Sequence, residues 1–172
     1  SVIKLVARAE KLADGKVFAA VSPCFVKKAN MFSGVNDVYN ACFVDGDMVG
    51  DVLMYGKGAG SEATASAVVG DIIDCADNSK ERKFFGWEPA CEDILSDYTD
   101  KETALYVRCT VTDKAEACRR LKSIFGKVVF LWRKDQPENE VAFVTPVMKE
   151  RQLRKVLSTT GVSVVTTIRI FE

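Results

Sequence analysis

A strand-like run ends in three glycines at alternate positions, and an apolar helical pattern begins directly behind them. The stretch is Tyr55 to Asp71, YGKGAGSEATASAVVGD, with Gly56, Gly58 and Gly60 at the junction. Only a backbone without Cβ turns this sharply at positive φ, or lets another group approach closely. A helix starting there presents unpaired N–H groups and a partial positive charge, a setting that suits an anion. The spacing G-x-G-x-G differs from the dinucleotide fingerprint, and no Lys-Ser/Thr pair closes it as a P-loop. From the glycines alone, a purely structural turn and an anion or cofactor contact both remain open.

The pattern around the junction reads as a first module over residues 1–77. Ile3 to Ala7 forms a strand, residues 13–15 turn, and Lys16 to Val21 returns as a strand that Ser22 and Pro23 should end. Val38–Val44 and Met48–Met54 are expected as a hairpin around Asp45-Gly46-Asp47. Ala65, Val68, Val69, Ile72, Ile73 and Ala76 then fall on one helical face, expected to pack on the sheet of the preceding strands.

Residues 78–102 turn polar and charged around an aromatic island at Phe84, Phe85 and Trp87. They read as a connecting segment, solvated apart from aromatics docking on one module. Residues 103–172 form a second module. Leu105, Val107, Cys109 and Val111 alternate as a half-buried strand, and Ala117, Leu121 and Ile124 mark a helix. Val128–Trp132 and Val141–Thr145 are strands; Leu153, Val156 and Leu157 lie on a second helix, ended by Gly161; Val162–Ile170 is the last strand. This β-α-β-β-α-β order predicts a ferredoxin-like unit. The expected fold class is therefore α+β: a mixed or antiparallel sheet with a packed helix, followed by a ferredoxin-like βαββαβ domain.

Composition narrows the functional classes. The chain carries 24 Lys and Arg against 24 Asp and Glu, so it offers no basic field for nucleic acid. No apolar run reaches the roughly 20 residues of a membrane span. Histidine is absent, which excludes Ser-His-Asp and Cys-His catalysis within these residues. The six cysteines form no C-x-x-C pair and match no zinc spacing, so no metal site is expected. Cys42, Cys75, Cys109 and Cys118 sit among apolar neighbours and read as small buried residues of a reducing, cytoplasmic setting.

Taken together, Ile3–Ala7, Val21-x-Pro23, Gly34–Ala41 (GVNDVYNA), Gly46–Gly50, Tyr55–Gly60 and Thr64–Asp71 resemble the end of the catalytic domain of homoserine dehydrogenase. The remainder resembles the regulatory ACT domain that many bacterial members carry. The resemblance implies an NADP- or NAD-dependent oxidoreductase that interconverts aspartate 4-semialdehyde and homoserine, in threonine, methionine and isoleucine biosynthesis. It implies that Gly60, with Gly58 and Ala59, borders the cofactor, and that Thr64 caps or lines the helix start. The nucleotide-binding domain and the catalytic lysine would precede Ser1. The chain is thus expected to be a C-terminal fragment, inactive alone and without catalytic residues of its own.

Departures from the family pattern carry expectations too. Lys57 and Ala63 stand where proline is common. Thr112–Ala117 lacks the Asp-x-Pro-Gly turn that helps hold an amino-acid effector, so threonine binding at that loop is put in doubt. A free-standing amino-acid-sensing or assembly module is the alternative reading. Exposed apolar strands and an incomplete first sheet predict at least a homodimer.

Overall fold

A computed structural model describes residues 1–78, 86 and 94–171. The chain divides into two compact units, Ser1–Lys27 with Glu92–Glu172, and Lys28–Cys91. Each is described by itself.

The first unit is a mixed six-stranded sheet with two helices. Strands β1 (Val2–Lys11) and β2 (Val17–Val26) form an antiparallel hairpin, turned at Gly15 with φ +83°. Strand β2 was expected to stop at Pro23 but runs on to Val26. The reason lies in the pairing. Pro23 faces Leu5 on β1, while pairing on its other side starts only at Cys24, so its missing N–H costs no ladder bond there.

In the second unit, β3 (Tyr39–Gly46) and β4 (Gly50–Lys57) form a separate two-stranded hairpin. Its loop is Asp47-Met48-Val49, two residues later than the expected turn, because Gly50 takes up the positive φ of +68° that closes it. Helix α1 follows (Ser61–Asp77). Its apolar stripe was expected to pack on the preceding strands. Instead the helix has no buried residue, and Val68, Val69, Ile72 and Ile73 are all more than half exposed. Two of those strands belong to the six-stranded sheet, and a two-stranded ribbon offers too little surface to cover a helix of this length. Cys42 and Cys75, read as buried, are exposed for the same reason.

The remaining elements complete the first unit. In chain order they are β5 (Glu102–Thr103), β6 (Leu105–Thr110), α2 (Lys114–Phe125), β7 (Val129–Leu131), β8 (Glu140–Val144), β9 (Met148–Lys149), α3 (Glu150–Thr159) and β10 (Ser163–Phe171). The sheet order is β1-β2-β10-β6-β8-β7, antiparallel except for the parallel β2–β10 pair. Strands β5 and β9 make a small ladder of their own.

The core lies where α2 and α3 meet the sheet. Alternation on β6 sends Leu105, Val107 and Cys109 inward, against Leu121 and Phe125 of α2, Val141 and Phe143 of β8, and Leu153 and Leu157 of α3. Fully burying a side chain such as Leu121 or Leu153 contributes about 1.5–3 kcal/mol. Helix α2 is capped by Asp113, whose carboxylate accepts from the Glu116 amide at 2.9 Å. Gly126 closes its other end at φ +69°, and Gly161, at φ +72°, follows the end of α3.

The segment expected to be a solvated linker is partly built into the sheet edge. The Val17 amide donates to the Ile94 carbonyl and the Ser96 amide to the Val17 carbonyl, at 2.8 and 2.9 Å. A 3-10 turn, Tyr98–Asp100, then leads into β5. The aromatic island at Phe84, Phe85 and Trp87, and Cys91, lie outside the described residues. The six-stranded sheet also crosses the module boundary expected near residue 77, since the β1–β2 hairpin joins it through β10. Three paired positions, Cys24–Val26 against Arg169–Phe171, make that join, and no local pattern in either segment announces it.

Candidate functional site

The glycine junction links β4 to α1, and its three glycines serve different ends. At Gly56 a Cβ would meet open space. At Gly58 a Cβ would fall 2.7 Å from Cγ of Asn40, so the missing side chain lets the neighbouring strand come close. Gly60 has φ +110° and ψ 150°, a region open essentially to glycine alone. The chain reverses from strand to helix at this one residue.

Backbone hydrogen bonds fix the turn. The Gly58 and Ala59 amides both donate to the Val38 carbonyl, at 3.0 and 3.3 Å. Those two N–H groups are therefore engaged within the protein. Through these bonds Gly58 and Ala59 tie the turn to the residue that precedes β3. Beyond them the Thr64 amide donates to the Gly60 carbonyl at 3.1 Å as the first helical bond. No side chain caps α1 at Gly60. The first amides of a helix have no partner within it, so the start of α1 is the face of the turn with donors to offer. Glu62 in that first turn complements the helix dipole and opposes a second anion; Lys57, at the end of β4, is the nearest cation in sequence. Beside the turn, the rings of Tyr39 and Tyr55 stack at 5.0 Å and an interplanar angle of 1°, stiffening the strand pair that carries it.

Two of the thiols are held protonated by burial. Burial pushes the Cys109 thiol up to about 11, and also raises Cys118, so neither is a thiolate near neutrality. Among the described residues no three Cys, Asp or Glu side chains converge on a metal position. No helix among the described residues is long and apolar enough to cross a membrane.

The sequence reading missed one cluster. Glu150 is 1% exposed and accepts from Arg154 Nε and Nη2 at 2.8 and 2.6 Å and from Arg169 Nε at 2.7 Å. The spacing of Glu150 and Arg154 on one helical face is visible in the sequence. The Arg169 contact depends on how the sheet is assembled.

Comparison with known proteins places this geometry. The family described as homoserine dehydrogenase matches residues 1–73. The homoserine dehydrogenase of Helicobacter pylori is 37% identical over 125 residues, 73% of this chain. The chain belongs to the homoserine dehydrogenase family. It spans about 29% of the length of that relative. The enzyme of Corynebacterium glutamicum is 31% identical over 130 residues, again 29% of its own length. Among solved structures, a homoserine dehydrogenase from Thiobacillus denitrificans matches 99% of this chain with TM-score 0.68 and 25% identity. One from S. aureus, at pH 7.0, matches 99% with TM-score 0.69 and 26% identity. Each match covers 42% of the solved chain. The family match takes in the whole glycine junction and most of α1. The structural likeness extends through the second half of the chain as well.

Proposed function

We infer that these residues form part of a homoserine dehydrogenase that interconverts aspartate 4-semialdehyde and homoserine with NADPH or NADH, in the route to threonine, methionine and isoleucine. The observation that carries this reading is the junction itself: a family match across it, and a Gly60 conformation that strains any other residue.

The junction fits one wall of a cofactor cleft. Around Gly60 there is open space where a side chain would stand, and the start of α1 carries no side-chain cap. The bound cofactor would supply the hydride. This chain's residues would position it. Gly60 keeps the wall flat, the first amides of α1 offer hydrogen bonds, and Gly58 and Ala59 hold the turn through Val38. No histidine lies among these residues to give the forming alkoxide its proton. The family resemblance assigns it to a lysine outside these residues.

Residues 103–172 are proposed as an ACT-type module. The order β10-β6-β8-β7 with all-antiparallel neighbours, and a core between that sheet and both helices, support a βαββαβ unit. The dehydrogenase portion is proposed to end near residue 77, just past the end of the family match at residue 73, although the sheet continues across that point. Asp113 serves as the cap of α2 where an effector-binding turn would stand, which supports an assembly role over threonine binding. Homodimerisation is proposed from the exposed apolar surface of β4 and α1. The five free cysteines among the described residues support a reducing, cytoplasmic setting.

A chimera tests the reading. Residues 1–77 replace the matching segment of the H. pylori enzyme, and NADPH- and NADH-dependent reduction of aspartate 4-semialdehyde is assayed. Activity within about tenfold of the parent is expected. A folded, inactive chimera would contradict the proposal.

A further inference from the structure

The β1–β2 hairpin joins the rest of its sheet through a short seam. Among the described residues, only Cys24, Phe25 and Val26 pair with β10, opposite Arg169, Ile170 and Phe171, and they do so in parallel. Parallel pairing is slightly the weaker kind per residue. Away from these three pairs, the hairpin is held by the Val17 bonds to Ile94 and Ser96 and by Phe25 against Tyr106.

The first residue of that seam carries a charge into the interior. Arg169 donates through Nε to Glu150 Oε2 at 2.7 Å, and its guanidinium lies 5.4 Å from the Tyr98 ring centroid. Glu150 is the first residue of α3, where the helix dipole favours a carboxylate, and Arg154 neutralises its other oxygen. The Glu150 amide donates to the Lys101 carbonyl at 3.1 Å. Lys101 in turn reaches β1, with Nζ 2.7 Å from Glu10 Oε2. Both strands of the hairpin are thereby tied to the start of α3, one through Arg169 and one through Lys101. Removing the Glu150 carboxylate leaves the Arg169 guanidinium without its partner, whereas removing Arg154 leaves Glu150 still paired with Arg169.

We propose that the Glu150–Arg169 pair is a latch coupling the N-terminus of α3 to the β1–β2 hairpin, so that a shift of α3 passes into the residues 1–27 that lie within the family-matched segment. Arg169 and Glu150 are positioning residues in this scheme. The latch is a property of this chain by itself; its meaning as a relay into a dehydrogenase rests on the functional reading above. The two fail separately, because the test below needs no activity.

Hydrogen exchange of the 172-residue chain reads the latch directly. In the wild-type chain under rising urea, peptides covering residues 21–26 and 148–154 are expected to open together, on one common isotherm. A hairpin that opens while the start of α3 stays closed overturns the proposal. In Glu150→Gln, exchange at residues 21–26 and 166–171 is expected to rise about tenfold, while residues 105–109 and 141–143 stay within about twofold. Arg154→Ala, which leaves the Arg169 contact in place, is expected to leave residues 21–26 within about twofold. An unchanged seam in Glu150→Gln, or uniform acceleration across all peptides, overturns it. Should Glu150→Gln not fold, the wild-type isotherms still decide.

Discussion

Alanine placed at each glycine of the junction should give three different results, and the structure sets their order. At Gly60, φ +110° with ψ 150° is a conformation that costs a non-glycine residue of order 1–3 kcal/mol. Space offers no relief, since a Cβ there touches nothing and the strain lies wholly in the backbone. At Gly58, φ lies outside the left-handed range and the conflict is with the Asn40 side chain, which can rotate away. About 0.5–1.5 kcal/mol, the cost of an off-rotamer side chain, is expected there. At Gly56 neither penalty applies, and replacing glycine within β4 should stabilise by about 0.5–1 kcal/mol. Exchange protection at the start of α1, residues 61–66, together with urea unfolding followed by circular dichroism, measures the series. Gly60→Ala should lose most, Gly58→Ala less, and Gly56→Ala nothing. Adding Asn40→Ala should restore Gly58→Ala while leaving Gly60→Ala unrepaired. Equal losses at all three positions would refute the division of roles. So would rescue of Gly60→Ala by Asn40→Ala.

Other consequences are open to simple measurement. With a pKa near 11, Cys109 is only about one part in a thousand thiolate at pH 8, so iodoacetamide should label exposed Cys42 and Cys75 well before it, as mass spectrometry of the native chain would show. The Glu10 carboxyl is held below its ordinary 4.5, first by the hydrogen bond from Lys101. A lowered carboxyl stabilises the fold above its unfolded value and loses that contribution as pH falls through the folded one. The urea midpoint should therefore drop more steeply below pH 4.5 in the wild-type chain than in Lys101→Gln; because both groups are partly exposed, the difference should be small. Leu121→Ala, at a fully buried position between α2 and the sheet, should cost about 2–5 kcal/mol in the same assay.

Local chemistry was legible in the sequence; long-range assembly was not. The α1 stripe from Ala65 to Ala76 shows its helical period in any window, and the helix spans Ser61–Asp77. Alternation in β6 likewise names Leu105, Val107 and Cys109 as core. What periodicity omits is the surface an apolar face will meet. The α1 stripe is exposed because the strands before it are divided between two sheets. Strand β2 looked finished at Pro23 because proline lacks an N–H, yet pairing beyond it with a strand near the other end of the chain decides its length. Nothing in its helical pattern sets Glu150 apart; Arg169, on the last strand, reaches its carboxylate only in the assembled fold. At the junction, the glycines pointed to the turn, but only the backbone angles separate Gly60 from Gly56. The hydrogen bonds to Val38 then show that Gly58 and Ala59 spend their amides on the turn.

The most direct test of the account is the cofactor KM of the H. pylori chimera carrying residues 1–77, measured with and without Gly60→Ala. Both proteins are assayed at a temperature where circular dichroism shows them folded, with Gly56→Ala as the control. The account predicts that Gly60→Ala raises the KM for the preferred nicotinamide cofactor about tenfold or more, while Gly56→Ala leaves it within about twofold. An unchanged cofactor KM in folded Gly60→Ala would contradict the claim that this turn forms a wall of the cofactor cleft.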